Sequence, residues 1–463
     1  MSETFDCISP VDGSAYVTRS YATASDIEKA LRVAQKAKEP WRALPLSERA
    51  KVCHAALDLL LLKKASLAEE ISWQMGRPIQ YSPGEIAGFD ERARYMINIA
   101  EAKLQDICPP TQPGFRRFIK RQPHGVVFSI TPWNYPYLTA VNSIIPALMA
   151  GNVVVMKTSA QTPLVAERIV AAFKEAGLAE GVIQYLHTNH DDTLGIVASG
   201  EVDYVSFTGS TQGGVAVETA AAGKFLELSL ELGGKDAAYV RADADVTSSV
   251  ESLVDGAYFN SGQSCCGIER IYVHSSLYES FMEKFVDLVK QYQLGSPLDP
   301  QTSLGPMVSA AAACDVRHHI NNTIHVGAKA KIPRDLFAMD DDECAYLAPQ
   351  VLTDVEHDMR FMKNEIFGPV VGIMSVSDDK QALSLMNDSQ YGLTASLWTK
   401  DLELALSLAD RLQVGTVFTN RCDYLDPALA WSGMKLSGKG CSLSEVGYER
   451  LTRPKSFHFR ESF

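Results

Sequence analysis

The sequence predicts an α/β protein with two doubly wound parallel sheets and a small separate β ribbon. Short Val- and Ile-rich strands alternate with helices over residues 125–231, and strands this apolar are typical of parallel sheets that are buried on both faces. The same alternation resumes after Glu231. Two further segments, 115–122 and 455–460, alternate apolar and charged residues, which favours an antiparallel ribbon with one covered face.

Length and composition limit the classes of protein that the chain can belong to. A chain of 463 residues is too long for one ordinary core, so two or three domains are expected. The net charge is −13 and no basic run is present, which argues against a nucleic-acid partner. No window approaches ~20 consecutive apolar residues, so we expect no membrane span.

The cysteines and the N-terminal segment indicate a compartment. The nine cysteines are scattered and form no C-x-x-C pair, so neither a disulfide framework nor a cysteine metal site is expected. The first residues, MSETFDCISPVDG, lack both a basic start and an apolar stretch, so we expect no signal peptide. The predicted location is therefore the cytoplasm.

The helices and strands can be assigned in chain order from periodicity and caps. Ser25 and Glu28 fit a capping box for a helix to about residue 38, and a second helical stretch covers 46–75. The predicted strands of the first unit are 125–130, 152–157 and 204–209, with helices at 140–150, 164–176 and 191–199. Those of the second unit are 237–240, 270–275 and 370–376, with helices at 250–259, 277–290 and 380–387.

One cysteine and one glutamate indicate the chemistry. Cys265 lies in FNSGQSCCGIER and Glu231 in LELSLELGGKD, too far apart in sequence for a metal knuckle. A thiol nucleophile with a carboxylate base can form a covalent thioester and then hydrolyse it. We expect Cys265 to lie at a helix end or near backbone amides, which would lower its pKa. The alternative is that Cys265 and Cys266 are small buried residues with no chemical role.

Six motifs in a fixed order give the chain a resemblance to a known family. PWNYP, MKTSAQTP, FTGST, LELGGKD, GQSCCGIER and EIFGPV follow one another along the sequence. On these motifs the chain resembles NAD(P)-dependent aldehyde dehydrogenases, and its length is similar to that of short succinic-semialdehyde-type members. The resemblance implies a cofactor-binding domain (1–102 and 124–231), a catalytic domain (232–450) and an oligomerisation ribbon (103–123 and 451–463).

The resemblance also implies catalytic roles for three residues. Cys265 would attack the aldehyde carbon, and Asn134 would donate its amide to the oxyanion together with the Cys265 backbone N–H. Glu231 would activate the water that hydrolyses the thioester. Members that transfer the acyl group to coenzyme A generally lack this glutamate, so Glu231 favours release of a free carboxylate.

Cofactor contacts follow from the same motifs. Lys157 ends a predicted buried strand, where α/β sheets bind ligands, and Gly209 and Ser210 precede a helix whose N-terminus suits a pyrophosphate. Glu365 would bind the nicotinamide ribose, with Phe367 beside the ring. The full implied set is Thr131, Pro132, Trp133, Lys157, Ser159, Gly209, Ser210, Glu365 and Phe367.

The choice between NAD and NADP depends on one departure from the family pattern. Many relatives carry a glutamate three residues after this lysine, where the chain has Ala160. A carboxylate there would repel a 2′-phosphate, and alanine does not. The departure predicts that NADP is tolerated, with Lys157 and Ser159 near the phosphate, and leaves both cofactors open.

The predicted substrate tunnel is aromatic. By the resemblance it is lined by Tyr135, Leu138, Asn142, Tyr424, Leu425 and Trp431, which suits an aromatic or medium aliphatic aldehyde. No arginine pair is evident for a dicarboxylic semialdehyde, although Arg421 lies in the tunnel loop. Asp423 and Asp426 leave a cationic aminoaldehyde open.

Other interpretations remain open at this point. The chain could be a thiol esterase that uses Cys265 and Glu231 without hydride transfer, or a catalytically silent binding protein on the same fold. The exposed edge of the ribbon needs a partner strand, which together with the resemblance predicts a homodimer or homotetramer.

Overall fold

The computed structural model describes residues 3–422 and 424–461. Its helices are α1 (Ala24–Ala43), α2 (Leu46–Leu62), α3 (Lys64–Met75), α4 (Ser82–Lys103), α5 (Pro136–Ala150), α6 (Leu164–Glu175), α7 (His190–Ser199), α8 (Thr211–Ala221), α9 (Val246–Tyr258), α10 (Tyr278–Val289), α11 (Ala310–His325), α12 (Arg360–Lys363), α13 (Asp379–Asn387), α14 (Leu402–Ala409) and α15 (Ser444–Arg450).

The strands complete the element list. They are β1 (Thr4–Ile8), β2 (Ala15–Ser20), β3 (Phe115–Pro123), β4 (Val126–Thr131), β5 (Val153–Thr158), β6 (Ile183–Tyr185), β7 (Tyr204–Thr208), β8 (Glu227–Glu231), β9 (Asp236–Val240), β10 (Ile268–His274), β11 (Lys329–Ala330), β12 (Gln350–Thr353), β13 (Val370–Val376), β14 (Tyr391–Gly392), β15 (Thr394–Trp398), β16 (Thr416–Thr419), β17 (Met434–Lys435), β18 (Gly438–Lys439) and β19 (Thr452–Arg460).

The first sheet confirms the predicted doubly wound unit. Its order is β18-β8-β7-β4-β5-β6, and the neighbouring strands from β6 to β8 are all parallel. Every residue of β4 is buried, because helices cover both faces of the sheet. The pairing of β18 with β8 is antiparallel. The carboxyl ends of β4, β5, β7 and β8 therefore meet at one edge, where ligands bind in such sheets.

The second sheet has the order β11-β12-β13-β10-β9-β15-β16. The strands from β12 to β16 run parallel, and β11 joins its edge antiparallel. Its two faces are covered by separate apolar clusters, one of which includes α11 and α13 and the other α9 and α10. The sequence analysis found β9, β10 and β13 but not β12, β15 and β16, which are short.

The predicted ribbon is also present. Strands β3 and β19 pair antiparallel from Phe115↔Arg460 to Pro123↔Thr452. Phe118 and Phe457 stack across the pair, with ring centroids 4.6 Å apart and planes 7° from parallel. Alternation of apolar and charged residues therefore identified both strands, since aromatic side chains on one face pack across the pair.

Three details of the helices differ from the prediction. The capping box of α1 is formed by Thr23 and Asp26, each side chain bonding the other's backbone N–H, rather than by Ser25 and Glu28. The stretch 46–75 is two helices that divide at Lys63. Helix α4 was not predicted, because its sequence mixes glycine, charged and apolar residues without a clear stripe.

The end of the chain returns to the first sheet. Trp431, Leu443, Tyr448 and Leu451 are buried in the apolar cluster that surrounds this sheet. Strand β18 pairs with β8 of the first unit, whereas β17 pairs with β14 of the second, so the segment after residue 430 contacts both units. No helix of the described residues is long and apolar enough to cross a membrane.

Candidate active site

A cavity of about 760 Å³ opens at the carboxyl edge of the first sheet. Twelve residues that the sequence analysis assigned to catalysis or cofactor binding line this one cavity: Cys265, Glu231, Asn134, Thr131, Pro132, Trp133, Lys157, Ser159, Gly209, Ser210, Glu365 and Phe367. They come from both halves of the chain, because the Cys265 and Glu365 loops of the second unit meet the strand ends of the first.

A constrained turn presents Cys265 to the cavity. After α9 the backbone forms a 3₁₀ turn in which Asn260 (φ 55°) and Ser261 (φ 57°) both adopt left-handed conformations. Gly262 follows with φ 69°, and a Cβ there would lie 2.2 Å from the carbonyl oxygen of Gly368. The turn and the loop at Gly368 are thus in backbone contact, and only glycine fits between them.

The environment of Cys265 corrects one prediction. The residue lies in a loop before β10 and not at a helix N-terminus. Hydrogen bonding to Cys266, burial, and the nearby charges of Cys266, Asp236 and Glu365 raise the pKa of the Cys265 thiol well above its ordinary value. The sequence analysis predicted a lowered pKa because it counted backbone amides and not the surrounding carboxylates.

Asn134 lies at the start of the segment that leads into α5 and is 4% exposed. Its Nδ2 donates to the carbonyl oxygen of Gln263, at 3.1 Å, two residues before Cys265. The backbone carbonyl oxygen of Asn134 accepts a hydrogen bond from the guanidinium of Arg77, which forms a buried ion pair with Glu85. The amide of Asn134 is therefore held beside the Cys265 loop from two directions.

Glu231 ends β8 and is half-buried. The Thr208 hydroxyl at the end of β7 donates to Glu231 Oε2 at 3.3 Å. Burial raises the pKa of the Glu231 carboxyl, while the nearby hydroxyls of Ser442 and Thr208 and the charge of Arg92 act in the opposite direction. A carboxylate whose pKa lies above its usual value is a stronger base.

A hydrogen bond and an aromatic contact hold the loop that carries Glu365 and Phe367. Glu365 accepts a hydrogen bond from the Gly234 amide at 2.9 Å, and burial together with the charge of Glu269 raises its pKa to about 8. Phe367 lies edge-on to Trp133, with centroids 5.7 Å apart. Two aromatic rings and one carboxyl group thus border the cavity near Cys265.

The part of the cavity next to Lys157 is suited to a polar ligand. Lys157 at the end of β5 lies against the cavity, and burial lowers its pKa. Within the described residues, no carboxylate pairs with its ammonium group. The hydroxyl of Ser210 caps α8 by accepting from the Gly213 amide at 3.1 Å, so the positive end of this helix dipole faces the cavity.

Several lining residues were not predicted. They belong to α7, to β7 and to the first turns of α8: His190, Thr193, Leu194, Phe207, Gln212, Ala216 and Val217. A signal was available for α8, since it follows β7, whose carboxyl end forms part of the site, and the first turn of such a helix faces a bound ligand. Single apolar residues such as Leu194 carry no comparable signal.

The six predicted tunnel residues lie outside the lining of this cavity, as far as the described residues define it. Tyr135 packs under the guanidinium of Arg77, 4.5 Å from its ring centre. Leu138 and Asn142 on α5 both accept hydrogen bonds from Arg92 of α4, at 2.9 Å and 3.3 Å. Both positions therefore meet a buried cation rather than an aromatic wall.

The loop side of the predicted tunnel is less enclosed. Tyr424 is 38% exposed and donates to Glu91 at 3.4 Å, and Leu425 packs against the first core. Trp431 is 4% exposed and its backbone pairs with Ser442. Asp423 lies outside the described residues. A tunnel role for these loop residues stays a prediction.

Comparisons with curated sequences agree with these features. The model of the aldehyde dehydrogenase family matches residues 1–457. The mitochondrial aldehyde dehydrogenase of Leishmania tarentolae is 33% identical over 461 residues, which cover 99% of this chain and 92% of that protein. Betaine aldehyde dehydrogenase of Bacillus subtilis (strain 168) is 32% identical over 456 residues, or 97% and 92% of the two chains.

Solved structures give the same result. Betaine aldehyde dehydrogenase of Staphylococcus aureus in complex with NAD⁺ superposes with a TM-score of 0.93 at 30% identity, covering 99% of this chain and 92% of that one. 3,6-Anhydro-L-galactose dehydrogenase in complex with NADP gives 0.94 at 29% identity, with 98% and 96% covered. On the family match and these likenesses, the chain belongs to the aldehyde dehydrogenase family.

Proposed function

We propose that the protein oxidises an aldehyde to the free carboxylic acid and passes the hydride to NAD⁺ or NADP⁺. The observation that carries the proposal is that one cavity holds a thiol, an amide donor and a half-buried carboxylate (Cys265, Asn134 and Glu231). The same cavity holds the N-terminus of α8 and the ammonium of Lys157, which pairs with no carboxylate among the described residues.

The residues present fit a nicotinamide dinucleotide. Lys157 has no charge partner within the described part of the chain, and the capped N-terminus of α8 offers backbone amides, so both suit ribose hydroxyls and phosphate oxygens. Glu365 can accept from the hydroxyls of a second ribose, and Phe367 can border the ring. The structural relatives bound to NAD⁺ and to NADP support the same class of cofactor.

The first chemical step forms a bond between Cys265 Sγ and the aldehyde carbon. The thiol must lose its proton first, and Glu231 and Glu365, whose pKa values are raised, line the same cavity as bases. The carbonyl electron pair moves onto oxygen. That oxyanion accepts hydrogen bonds from Asn134 Nδ2 and from the Cys265 backbone N–H.

Oxidation and hydrolysis complete the reaction. A bound oxidised nicotinamide supplies the acceptor for the hydride that leaves the aldehyde carbon, and Cys265 then carries a thioester. Glu231 takes a proton from water as the water oxygen bonds to the acyl carbon. The carbon–sulfur bond breaks, the sulfur recovers a proton, and the carboxylic acid is released.

The tolerance of NADP remains part of this proposal. Ala160 is half-buried and carries no charge, so a 2′-phosphate near Lys157 and Ser159 meets no carboxylate at that position. We expect the two cofactors to bind within a hundredfold of each other. A calorimetric titration in which NADP binds a thousandfold more weakly than NAD would exclude this. Oligomeric state and cytoplasmic location stay predictions.

The deciding experiment follows reduced-nicotinamide absorbance over a panel of aldehydes with both cofactors. Wild type should reduce the cofactor and release free acid without coenzyme A, Cys265→Ala should not, and the matched control Cys266→Ala should retain the reaction. Hydrolysis of activated esters with no cofactor reduction would instead indicate a thiol esterase. Cofactor binding with neither activity would indicate a silent binding protein.

A further inference from the structure

The guanidinium of Arg77 bonds three neighbours, all of which lead to the candidate active site. Arg77 is 2% exposed and follows Gly76, the residue that ends α3. Its Nε donates to Asn260 Oδ1 at 3.1 Å, and its Nη2 donates to the backbone carbonyl oxygen of Asn134. Its Nη1 pairs with the carboxylate of Glu85. Every nitrogen of this buried cation therefore has an acceptor.

The carboxylate that pairs with Arg77 also holds the start of α5. Glu85 lies in the first turn of α4 and is 2% exposed. Its Oε1 accepts a hydrogen bond from the Tyr137 amide, in the first turn of α5, at 2.8 Å. Tyr135 precedes α5 and provides no side-chain cap, so Glu85 satisfies an amide that a cap would otherwise bond. Arg77 and Glu85 thus hold the backbone on both sides of Tyr135, at the Asn134 carbonyl and at the Tyr137 amide.

Asn260 connects this ion pair to the turn that precedes Cys265. Its Nδ2 donates to the carbonyl oxygens of Asn134 and Gln263, each at 3.3 Å. Gln263 Nε2 donates back to the Asn260 carbonyl oxygen at 3.1 Å. The left-handed backbone of Asn260 is therefore fixed through its side chain and through its carbonyl group, and the same side chain bonds both Arg77 and Asn134.

The backbone from which Arg77 extends is itself in contact with this turn. Gly76 has φ 86°, and a Cβ on Gly305 would lie 2.1 Å from the Gly76 carbonyl oxygen, so the two backbones touch. The carbonyl oxygen of Gly305 accepts from Ser261 Oγ at 2.8 Å. Ser261 follows Asn260 in the turn. The backbone and the side-chain end of Arg77 are thus both tied to the segment that presents the nucleophile.

These contacts bear on the amide of Asn134. Its Nδ2 carries two N–H groups, and its one acceptor among the described residues is the Gln263 carbonyl oxygen, at 3.1 Å. One N–H therefore fixes the amide against the Cys265 turn, and the other remains for a ligand in the cavity that Asn134 and Cys265 both line. Where this second N–H lies depends on the Asn134 backbone, whose carbonyl Arg77 bonds.

We propose that Arg77 is a positioning residue that holds the Asn134 amide where it meets the oxyanion formed when Cys265 attacks the aldehyde. The inference rests on the proposed function and adds to it a residue outside the cavity lining. A buried ion pair contributes little to stability, since an apolar pair of the same volume is often as stable. Three directed N–H bonds from one rigid plane are what apolar residues cannot supply.

The test is a double-mutant cycle with Asn134, measured on the best aldehyde of the panel. Arg77→Lys keeps the charge beside Glu85 but cannot make all three directed bonds. It should lower kcat by about 10- to 100-fold with little change in KM, as a partial loss of an oxyanion donor. In an Asn134→Ala background the same substitution should lower kcat by less than about twofold, because the amide that it positions is gone. Equal losses in both backgrounds, or an unchanged kcat in Asn134→Ala, would overturn the proposal.

The matched control is Arg317→Lys. Arg317 is 8% exposed, pairs with Asp340 and donates to the Tyr346 carbonyl oxygen, and none of the three lines the cavity. The substitution should lower the urea midpoint as Arg77→Lys does but leave kcat unchanged. An equal loss of kcat in this control would mean that weakened packing alone lowers turnover, and the role of Arg77 would be lost.

A second variant covers the case in which Arg77→Lys does not fold. Arg77→Met combined with Glu85→Gln leaves no charge buried alone and keeps an oxygen for the Tyr137 amide. Its loss of kcat should again disappear in the Asn134→Ala background, and full kcat in this variant would overturn the proposal.

The outcomes distinguish this inference from the proposed function. If the wild-type enzyme shows no Cys265-dependent reduction of the cofactor, the proposed reaction itself fails. If the wild type reacts and Asn134→Ala loses turnover while the Arg77 variants retain it, the reaction stands and only the role of Arg77 is lost.

Discussion

The buried Lys235 ammonium donates to the carboxylate of Glu269, and both side chains lie beneath the loop that carries Glu365. The same carboxylate accepts hydrogen bonds from the backbone amides of Ile366 and Phe367, each at about 2.9 Å. Glu269 thus ties the strand that follows Cys265 to the loop that borders the cofactor end of the cavity. One side chain, that of Glu269, therefore holds both the strand that follows Cys265 and the loop that carries Glu365.

Replacing Glu269 by alanine should damage both stability and cofactor binding. The Lys235 charge would be left buried without a partner, at a cost of about 3–5 kcal/mol in the free energy of unfolding. The Ile366 and Phe367 amides would lose their acceptor, so the KM for the cofactor should rise. Urea unfolding and a cofactor titration measure the two effects, and unchanged cofactor affinity in a folded variant would contradict this account.

Asn134→Ala should lower kcat by about 10²–10³-fold with little change in KM, because the amide is needed where negative charge develops. Alkylation of Cys265 by iodoacetamide should continue, since the nucleophile is untouched. Steady-state kinetics and mass spectrometry of the alkylated protein provide the two readouts. A variant that loses substrate binding instead of turnover would assign Asn134 another role.

Cys266→Ala should make Cys265 more reactive at neutral pH. The hydrogen bond between the Cys265 thiol and Cys266 is the largest cause of the raised pKa of Cys265, and its removal lowers that pKa and increases the thiolate fraction. The rate of alkylation against pH should shift to lower pH. Glu365→Gln should act in the same direction above about pH 8, where the Glu365 carboxyl, whose pKa is raised to about 8, carries a negative charge. A shift to higher pH would mean that burial alone controls the thiol.

The free energy of unfolding should decrease as pH rises from about 4 to about 7, because of Asp236. Burial raises its pKa from 3.8 to about 7. The folded state then holds a proton that the unfolded state releases in this window, so the free energy of unfolding decreases as pH rises. Asp236→Asn should flatten this dependence, whereas the exposed Asp315→Asn should not. Urea unfolding across the window measures it, and equal slopes would refute the assignment.

Removal of residues 452–461 should change the oligomeric state, if the ribbon joins subunits as the sequence predicts. Strand β3 would lose its partner β19 and expose its edge. Light scattering of the full chain and of the truncated chain gives the mass of each species. A full chain that is monomeric at micromolar concentration would contradict a role of the ribbon in oligomerisation.

The residues predicted for catalysis and cofactor binding line one cavity, and several of them could be chosen from sequence because they sit at strand ends. Thr131, Lys157 and Glu231 each close or nearly close an apolar run, and parallel strands bring such ends to one edge. Burial and charge around those residues could not be found in the same way. The pKa of Cys265 depends on Asp236 and Glu365, which only the tertiary fold brings close.

Arg92 was missed for a related reason. Helix α4 has buried Glu85 and Arg92 on the same side as Phe89 and Met96, so charged residues stand where an apolar stripe is expected. Read along the sequence, such residues look like a solvated face. Their burial becomes evident only when α5 packs against α4.

The return of the chain to the first sheet has a consequence for synthesis. Strand β8, which carries Glu231, borders β7 on one side and β18 on the other, and β18 lies near the end of the chain. A nascent chain that has left the ribosome only as far as the second sheet therefore carries β8 as an unpaired edge. Strand β8 therefore gains its second neighbour late in synthesis, and a prematurely terminated chain would be open to misassociation there.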